Sequence, residues 1–248
     1  MGEVHFTVED HVATIVLDNQ KKRNAVDPAM RAGIEQAYER VISDDDIRVA
    51  IITGAGDKAF SSGGDIDAYK EAGVFGPGAK PLPPIPRPWP IWKPFIAAIR
   101  GYAVGGGFAL ALACDLRVVG KGAVIGASGL RRGAVQGAGQ SQRLSRLVGM
   151  SKALEILLLS KYVSGEEAAQ MGLANTVVDD DAVLDTAMEW AKTIASYSPW
   201  AVQKTKELIY QGFDMPVDDA FAWEKEITLE GYSRDDAQQG FGEFKTNK

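Results

Sequence analysis

One glycine triplet in the chain has the type and spacing for binding a negative charge. Gly105, Gly106 and Gly107 follow an apolar run and open an Ala/Leu-rich stretch typical of a helix. Free N–H groups in the first turn of a helix carry the positive end of its dipole, so this turn is a candidate anion or oxyanion site. Glycine-rich turns are also common without any function. A dinucleotide fingerprint is excluded, because its third glycine would have to stand at Leu110.

Side chains for nucleophilic or metal chemistry are scarce. His5 and His11 are the two histidines and both stand near the N-terminus, so neither a Ser-His-acid triad nor a zinc site is expected. We interpret both as surface or edge-strand residues. Cys114 is the single cysteine, which excludes an intrachain disulfide and fits a reducing compartment. No metal site is predicted.

Composition and charge exclude other classes. The 248 residues carry 27 Lys+Arg against 33 Asp+Glu, a net charge of −6, and no basic cluster stands out. We therefore expect no nucleic-acid partner and no binding to anionic membranes. The longest apolar stretch, residues 101–114, is shorter than the ~20 residues that a spanning helix needs. We expect a soluble, cytoplasmic protein.

The chain alternates strand-like and helix-like segments up to about residue 180 and is helical in pattern after it. Helix starts are indicated by Asp27-Pro28, by the Ser-x-x-Glu spacing at Ser164, and by Ser198-Pro199. This order predicts an α/β fold followed by a helical tail, which we divide into residues 1–190 and 191–248. Strands are predicted from short apolar, β-branched runs at residues 12–17, 49–53, 95–99, 116–119 and 177–178.

A proline-rich segment interrupts this alternation. Seven of the 11 prolines lie between Pro77 and Pro90, close to Trp89 and Trp92. Such a stretch favours extended polyproline geometry over helix or sheet. Two interpretations stay open: a stiff surface loop, or a lid or wall of a binding site.

Several segments together resemble the crotonase (enoyl-CoA hydratase/isomerase) family. Residues 59–66 (Ala-Phe-Ser-Ser-Gly-Gly-Asp-Ile) and 93–107, which end in the glycine triplet, are similar to its two oxyanion-hole segments. Residues 17–25, 137–144 and 168–178 also match. The resemblance implies a spiral of ββα units whose C-terminal helices build a homotrimer or a dimer of trimers.

The resemblance also implies the site. The backbone N–H groups of Gly64 and Gly106 would form an oxyanion hole for the thioester of an acyl-coenzyme A, and an enolate oxygen does need two convergent donors. Coenzyme A enters as part of the substrate, and no prosthetic group is expected. For Asp65 a structural helix cap is an equal alternative to a ligand contact. The positions that would hold the adenine and phosphates are Arg23, Ala25, Ser62, Asp65 and Ile66.

The chain departs from the family where hydratases carry their two catalytic glutamates. The first position is Ala109 and the second is Gly129. The acid of isomerase-type members is replaced as well, by Gln136 or Gly137. Adding water to a double bond needs a group that deprotonates water and one that protonates carbon, and neither Ala109 nor Gly129 can do this. Ordinary hydratase activity is therefore not expected.

Three interpretations remain: an enzyme with its acid or base elsewhere, a non-catalytic acyl-CoA carrier or regulator, or a hydratase acting by another route. Arg131 and Arg132 would suit a substrate with a second carboxylate, because guanidinium pairs with carboxylate through two bonds. Solvated surface arginines are the alternative. Other sources of an acid or base are the substrate's own carboxylate, Asp67, Glu71, Glu226 and Tyr232.

Overall fold

The computed structural model describes residues 1–74, 88 and 90–246, with side chains up to residue 242. The described residues form the strands β1 (Glu3–Glu9), β2 (Val12–Asp18), β3 (Val49–Gly54), β4 (Ala59–Ser61), β5 (Phe95–Ile99), β6 (Tyr102–Val104), β7 (Leu116–Gly120), β8 (Val124–Gly126), β9 (Tyr162–Ser164) and β10 (Thr176–Val178). They also form the α-helices α1 (Pro28–Ser43), α2 (Ile66–Glu71), α3 (Gly106–Ala113), α4 (Gln140–Leu158), α5 (Gly165–Gln170), α6 (Val183–Ala195), α7 (Pro199–Gly212), α8 (Val217–Tyr232) and α9 (Asp235–Thr246).

The strands form two sheets, and the chain passes from one to the other in each repeat. The larger sheet has the order β1-β2-β3-β5-β7-β10 and the smaller has β4-β6-β8-β9. Strand β3 leads to β4 and then α2, β5 leads to β6 and then α3, and β7 leads to β8 and then α4. Strands β3, β5 and β7 pair in parallel, as do β4, β6 and β8. The predicted spiral of ββα units is therefore confirmed.

The central strands are buried on both faces, which explains their unbroken apolar sequences. In β5, Phe95, Ala97 and Ile99 face one hydrophobic core, shared with α1 and α3. The alternate residues Ile96 and Ala98 face a second core beneath α6. Successive side chains of a strand point to opposite faces of the sheet. Because both faces of β5 are buried, all of its residues must be apolar.

The predicted helix starts are confirmed. Asp27 caps α1 by accepting a hydrogen bond from Met30 N, with Pro28 as the first helical residue. Ser164 and Glu167 form a complete capping box at α5. Ser198 caps α7 ahead of Pro199. The predicted strands 12–17 and 95–99 are β2 and β5, and the histidines lie at the surface.

A buried polar cluster fastens α7 to the larger sheet. Lys206 Nζ donates to Asp115 Oδ2 at 2.7 Å and to the carbonyl of Lys93 at 3.1 Å. Tyr210 donates to Asp115 Oδ1 at 2.9 Å. Burial lowers the pKa of Lys206 below its ordinary value. A charge left unpaired at this buried position would be strongly destabilising. The cluster therefore holds α7 against the larger sheet.

The proposed division at residue 190 falls inside α6. The side chains of Ala187 and Ala191 in this helix pack against β3 and β5 in the second core. Helix α8 packs on α7 and α9. Large apolar side chains remain exposed on these last helices, among them Ile209, Phe213, Phe221, Leu229 and Phe241. Within the described residues, no helix is long and apolar enough to cross a membrane.

Candidate acyl-CoA site

Two backbone segments, residues 61–65 and 104–107, meet where β4 and β6 end. We call them the oxyanion segments. Gly63 has a φ of +96°, and a side chain at this residue would lie 2.7 Å from Gly106 N. A methyl group on Gly106 would lie 3.3 Å from both Gly63 Cα and Gly64 N. A Cβ at residue 63 would clash with Gly106 N, so glycine at this position lets the two main chains come into contact.

Two N–H groups at this contact have no hydrogen-bond acceptor among the described residues. Gly63 N donates to Ser61 Oγ, Asp65 N to the carbonyl of Val26, and Gly105 N to that of Gly126. Within the described residues, no hydrogen bond occupies the N–H of Gly64 or Gly106. Gly106 is the first residue of α3, so its N–H also lies at the positive end of that helix.

A tyrosine ring lies behind Gly64. A methyl group on Gly64 would lie 2.6 Å from Tyr69 Cε2, one turn along α2. Tyr69 is buried, and this burial raises the pKa of its hydroxyl. The ring therefore supports the backbone of Gly64 from one side.

The segment predicted to contact coenzyme A runs alongside the first oxyanion segment. Ser62 N donates to the carbonyl of Arg23 at 2.9 Å, and Ser62 Oγ donates to the carbonyl of Lys22 at 3.0 Å. Val26 N donates to the carbonyl of Gly63 at 2.7 Å. Ala25 is buried beside this ladder. Arg23, Ala25 and Ser62 are thus brought together next to Gly64.

Asp65 is a helix cap. Its Oδ1 accepts from Ala68 N at 3.2 Å, and its Oδ2 accepts from Lys22 Nζ at 2.6 Å. The hydrogen bond from Lys22 lowers the pKa of this carboxyl group below its ordinary value. The helix cap, which was one of the two interpretations of Asp65, is therefore confirmed. Ile66 follows as the exposed first residue of α2, and ligand contacts of both residues stay predictions.

A polar recess of about 80 Å³ lies beside Arg23. Lys58 and Asp57 also line it, while the Arg23 guanidinium stands 4.8 Å from the centre of the Tyr102 ring. The two cations suit a phosphate group, although Asp57 brings one negative charge to the same recess. Lys58 was not singled out in the sequence, because its spacing from Arg23 gives no signal of their proximity.

The region after β8 contributes the third part of the site. We call residues 128–140 the polar wall. Ser128 Oγ would be 3.5 Å from a methyl group on Gly105, so the wall adjoins the oxyanion segments. Within the described residues, Gln136 Nε2 and Gln140 Oε1 are buried without a hydrogen-bond partner.

The two positions at which the resemblance implies the glutamates of hydratases, Ala109 and Gly129, are closely packed. Ala109 is fully buried in α3. Gly129 N donates to Gln136 Oε1 at 3.3 Å, and a methyl group on Gly129 would lie 2.8 Å from that oxygen. The amide of Gln136 therefore fills the space that a side chain at Gly129 would enter. Sequence reasoning named Gln136 as a replaced acid but did not predict this contact.

The other acid–base candidates differ in position. Asp67 and Glu71 are exposed on α2, which starts directly after Gly64. Glu226 and Tyr232 lie on α8, and the Tyr232 ring packs on Phe241. The segment between Pro77 and Pro90 lies largely outside the described residues. No group of three or more metal-binding side chains occurs in the described part of the chain.

Solved structures share this ββα architecture and its helical tail. An enoyl-CoA hydratase from Polaromonas sp. JS666 superimposes with a TM-score of 0.91 at 27% identity, over 99% of this chain and 97% of that one. The chain belongs to the enoyl-CoA hydratase/isomerase family, whose sequence profile matches residues 7–248.

Two relatives are similar over nearly their full lengths. An (E)-benzylidenesuccinyl-CoA hydratase from Thauera aromatica is 37% identical, over 97% of this chain and 95% of the relative. A short-chain-enoyl-CoA hydratase from Clostridium acetobutylicum is 33% identical, over 98% and 95%. The resemblance drawn from the glycine segments is thereby confirmed.

Proposed function

We propose that the protein binds an acyl-CoA thioester and holds its carbonyl oxygen between the N–H groups of Gly64 and Gly106. The observation that carries this proposal is the contact of the two oxyanion segments, which leaves both N–H groups free. Two backbone donors in a fixed arrangement stabilise an enolate oxygen more than they stabilise the ground-state carbonyl. The nucleotide end would lie along Arg23, Ala25, Ser62, Asp65 and Ile66.

We further propose that the protein is an enzyme whose proton transfers do not use the family's usual glutamates. Ala109 and Gly129 carry no ionisable group, and Gln136 is neutral. Asp67 and Glu71 are the carboxylates on the helix that begins at the hole. The substrate of the Thauera relative is named as the thioester of a succinic acid, which would retain a second carboxylate. This name supports the substrate's own carboxylate as a proton carrier.

A non-catalytic acyl-CoA carrier or regulator is the second candidate. The observation in its favour is the absence of any Asp or Glu from Gly122 to Ala153, the stretch that includes the polar wall. A carrier needs the hole and the nucleotide contacts but no acid or base.

One experiment addresses both candidates. The purified protein is incubated with a panel of CoA thioesters, and mass spectrometry records which are bound and which are altered. We expect thioesters to bind more tightly than the free acids and at least one to be converted. Binding of several thioesters with conversion of none favours the carrier. Equal or absent affinity for CoA, acetyl-CoA and crotonyl-CoA would refute the proposal.

We also propose a homotrimer or a dimer of trimers. The exposed apolar side chains of α7 and α8, such as Ile209 and Phe221, support it, because a large apolar surface is costly in water. Light scattering at micromolar concentration measures the mass; a monomer would contradict the assembly. The proposed compartment is the cytoplasm.

A further inference from the structure

The polar wall lies in a stretch of the chain whose charged side chains are all positive. The chain as a whole has a net charge of −6. From Gly122 to Ala153, however, it has no acidic residue, while it has four arginines and one lysine. Such an excess beside a binding site attracts anionic groups.

The arginines of this region differ in what they already contact. Arg131 Nη2 donates to the carbonyl of Ser160 at 2.5 Å, and its guanidinium lies 4.7 Å from the centre of the Tyr162 ring. Arg146 bonds to Gln142 and lies 3.5 Å from a carboxylate oxygen of Asp214. Arg131 and Arg146 are therefore engaged within the protein.

Arg132 differs from these two arginines. Its Nη1 donates to Ser128 Oγ at 3.3 Å, and no ion pair among the described residues contains it. It is exposed and is the last residue of the short 3₁₀ helix Gly129–Arg132. Most of its five N–H donors stay available for a ligand.

The contact with Ser128 gives Arg132 its position. Ser128 Oγ adjoins Gly105, the residue before the proposed oxyanion donor Gly106. The Arg132 guanidinium is thus hydrogen-bonded to Ser128, whose side chain borders the proposed oxyanion hole. A ligand group that reaches it from the hole would belong to the acyl part of the thioester, not to the nucleotide part at Arg23.

We propose that Arg132 binds a second carboxylate on the acyl group, so that the substrates are CoA thioesters of dicarboxylic acids. The inference rests on the proposed function, because it requires the thioester carbonyl to lie between Gly64 and Gly106. A planar guanidinium donates two parallel N–H···O bonds to one carboxylate. Ser128 Oγ acts as a positioning group for that guanidinium.

The test compares two probes of equal carbon number, glutaryl-CoA and pentanoyl-CoA, by calorimetry. We expect the wild-type protein to bind glutaryl-CoA about tenfold more tightly, a difference of about 1.4 kcal/mol. Arg132→Gln should remove this preference and leave the affinity for pentanoyl-CoA unchanged. Arg146→Gln, which removes the same charge from α4, is the matched control and should retain the preference.

The outcomes separate this inference from the function on which it rests. Failure of both probes to bind the wild-type protein would refute the proposed function. Tight binding of both probes with no preference, or a preference that survives in Arg132→Gln, would overturn the role of Arg132 alone. An equal loss of preference in Arg146→Gln would show a general charge effect and would also overturn it.

Discussion

The oxyanion segments and the polar wall adjoin each other but are built in different ways. The first are main-chain structures in which glycines such as Gly63 and Gly106 fix two N–H groups by backbone contact. The second is built of side chains, with the amide of Gln136 against Gly129 and Arg132 against Ser128. In the function we propose, the main-chain donors would stabilise the enolate of any bound thioester, whereas side chains would carry out the proton transfers. The two tasks would then fall to separate parts of the molecule.

The largest expected effect is the hydration activity that is missing because neither Ala109 in α3 nor Gly129 in the polar wall carries a carboxylate. General acid–base groups contribute on the order of 10²–10⁴-fold each, so without them crotonyl-CoA hydration by the wild-type protein should be close to background. Ala109→Glu with Gly129→Glu supplies both groups. The further change Gln136→Ala removes the amide oxygen Oε1, which would lie 2.8 Å from a Cβ at residue 129. We expect a gain on the order of 10²-fold for the triple variant and a smaller gain for the double.

Loss of the conjugated-enoyl absorbance measures this hydration. Because Ala109 is fully buried, thermal unfolding and crotonyl-CoA affinity must be recorded for each variant. Gln136→Ala alone is the matched control and should stay inactive. Rapid hydration by the wild-type protein would mean that another residue performs the acid–base work, and our assignment of the replaced positions would be wrong.

The second effect concerns the oxyanion segments. Gly106→Pro removes the N–H donor at the first position of α3, where proline fits the helix. We expect a loss on the order of 10²–10³ in turnover of whichever thioester the mass-spectrometric panel shows to be converted. The readout is the initial rate at saturating thioester.

Gly106→Ala is the control for volume. It keeps the N–H but adds a methyl group 3.3 Å from Gly64 N. A comparable loss in both variants would point to displacement of the backbone. A folded proline variant with unchanged turnover would show that Gly106 is a packing residue only.

The same contrast explains what could be predicted from the sequence. The apolar run 95–99, the capping box at Ser164 and the glycine triplet are local patterns, and all three were predicted. Strands of three residues, such as β4 and β6, are too short to show the alternation of apolar and polar residues that identifies a strand. Local patterns therefore did not predict the strands of the smaller sheet.

Contacts between distant side chains were also missed. Lys206 is buried against Asp115, 91 residues earlier in the chain. The contact of Gln136 with Gly129 depends on the path of the chain after β8. No local pattern encodes either contact, because each depends on how separate elements pack.

The smallest expected effect tests whether Asp65 serves the fold or the ligand. Asp65→Ala removes both the cap of α2 and the ion pair with half-exposed Lys22, and should cost about 1 kcal/mol of unfolding free energy. Asp65→Asn keeps a good capping group and should cost less. The hydrogen bond from Lys22 holds the pKa of Asp65 below its ordinary value.

The sign of the pH effect follows from that shift. A carboxyl group with a lowered pKa in the folded state stabilises the protein at neutral pH, and this contribution is lost as the pH falls through the folded-state pKa. Urea unfolding at pH 7 and pH 3 should therefore show a smaller decrease for Asp65→Asn than for the wild-type protein. Calorimetry at pH 7 should give unchanged affinity for acyl-CoA if Asp65 is a cap. Asparagine keeps the helix cap and removes the charge. A tenfold loss of acyl-CoA affinity in Asp65→Asn, with stability retained, would therefore show that the carboxylate of Asp65 contacts the ligand.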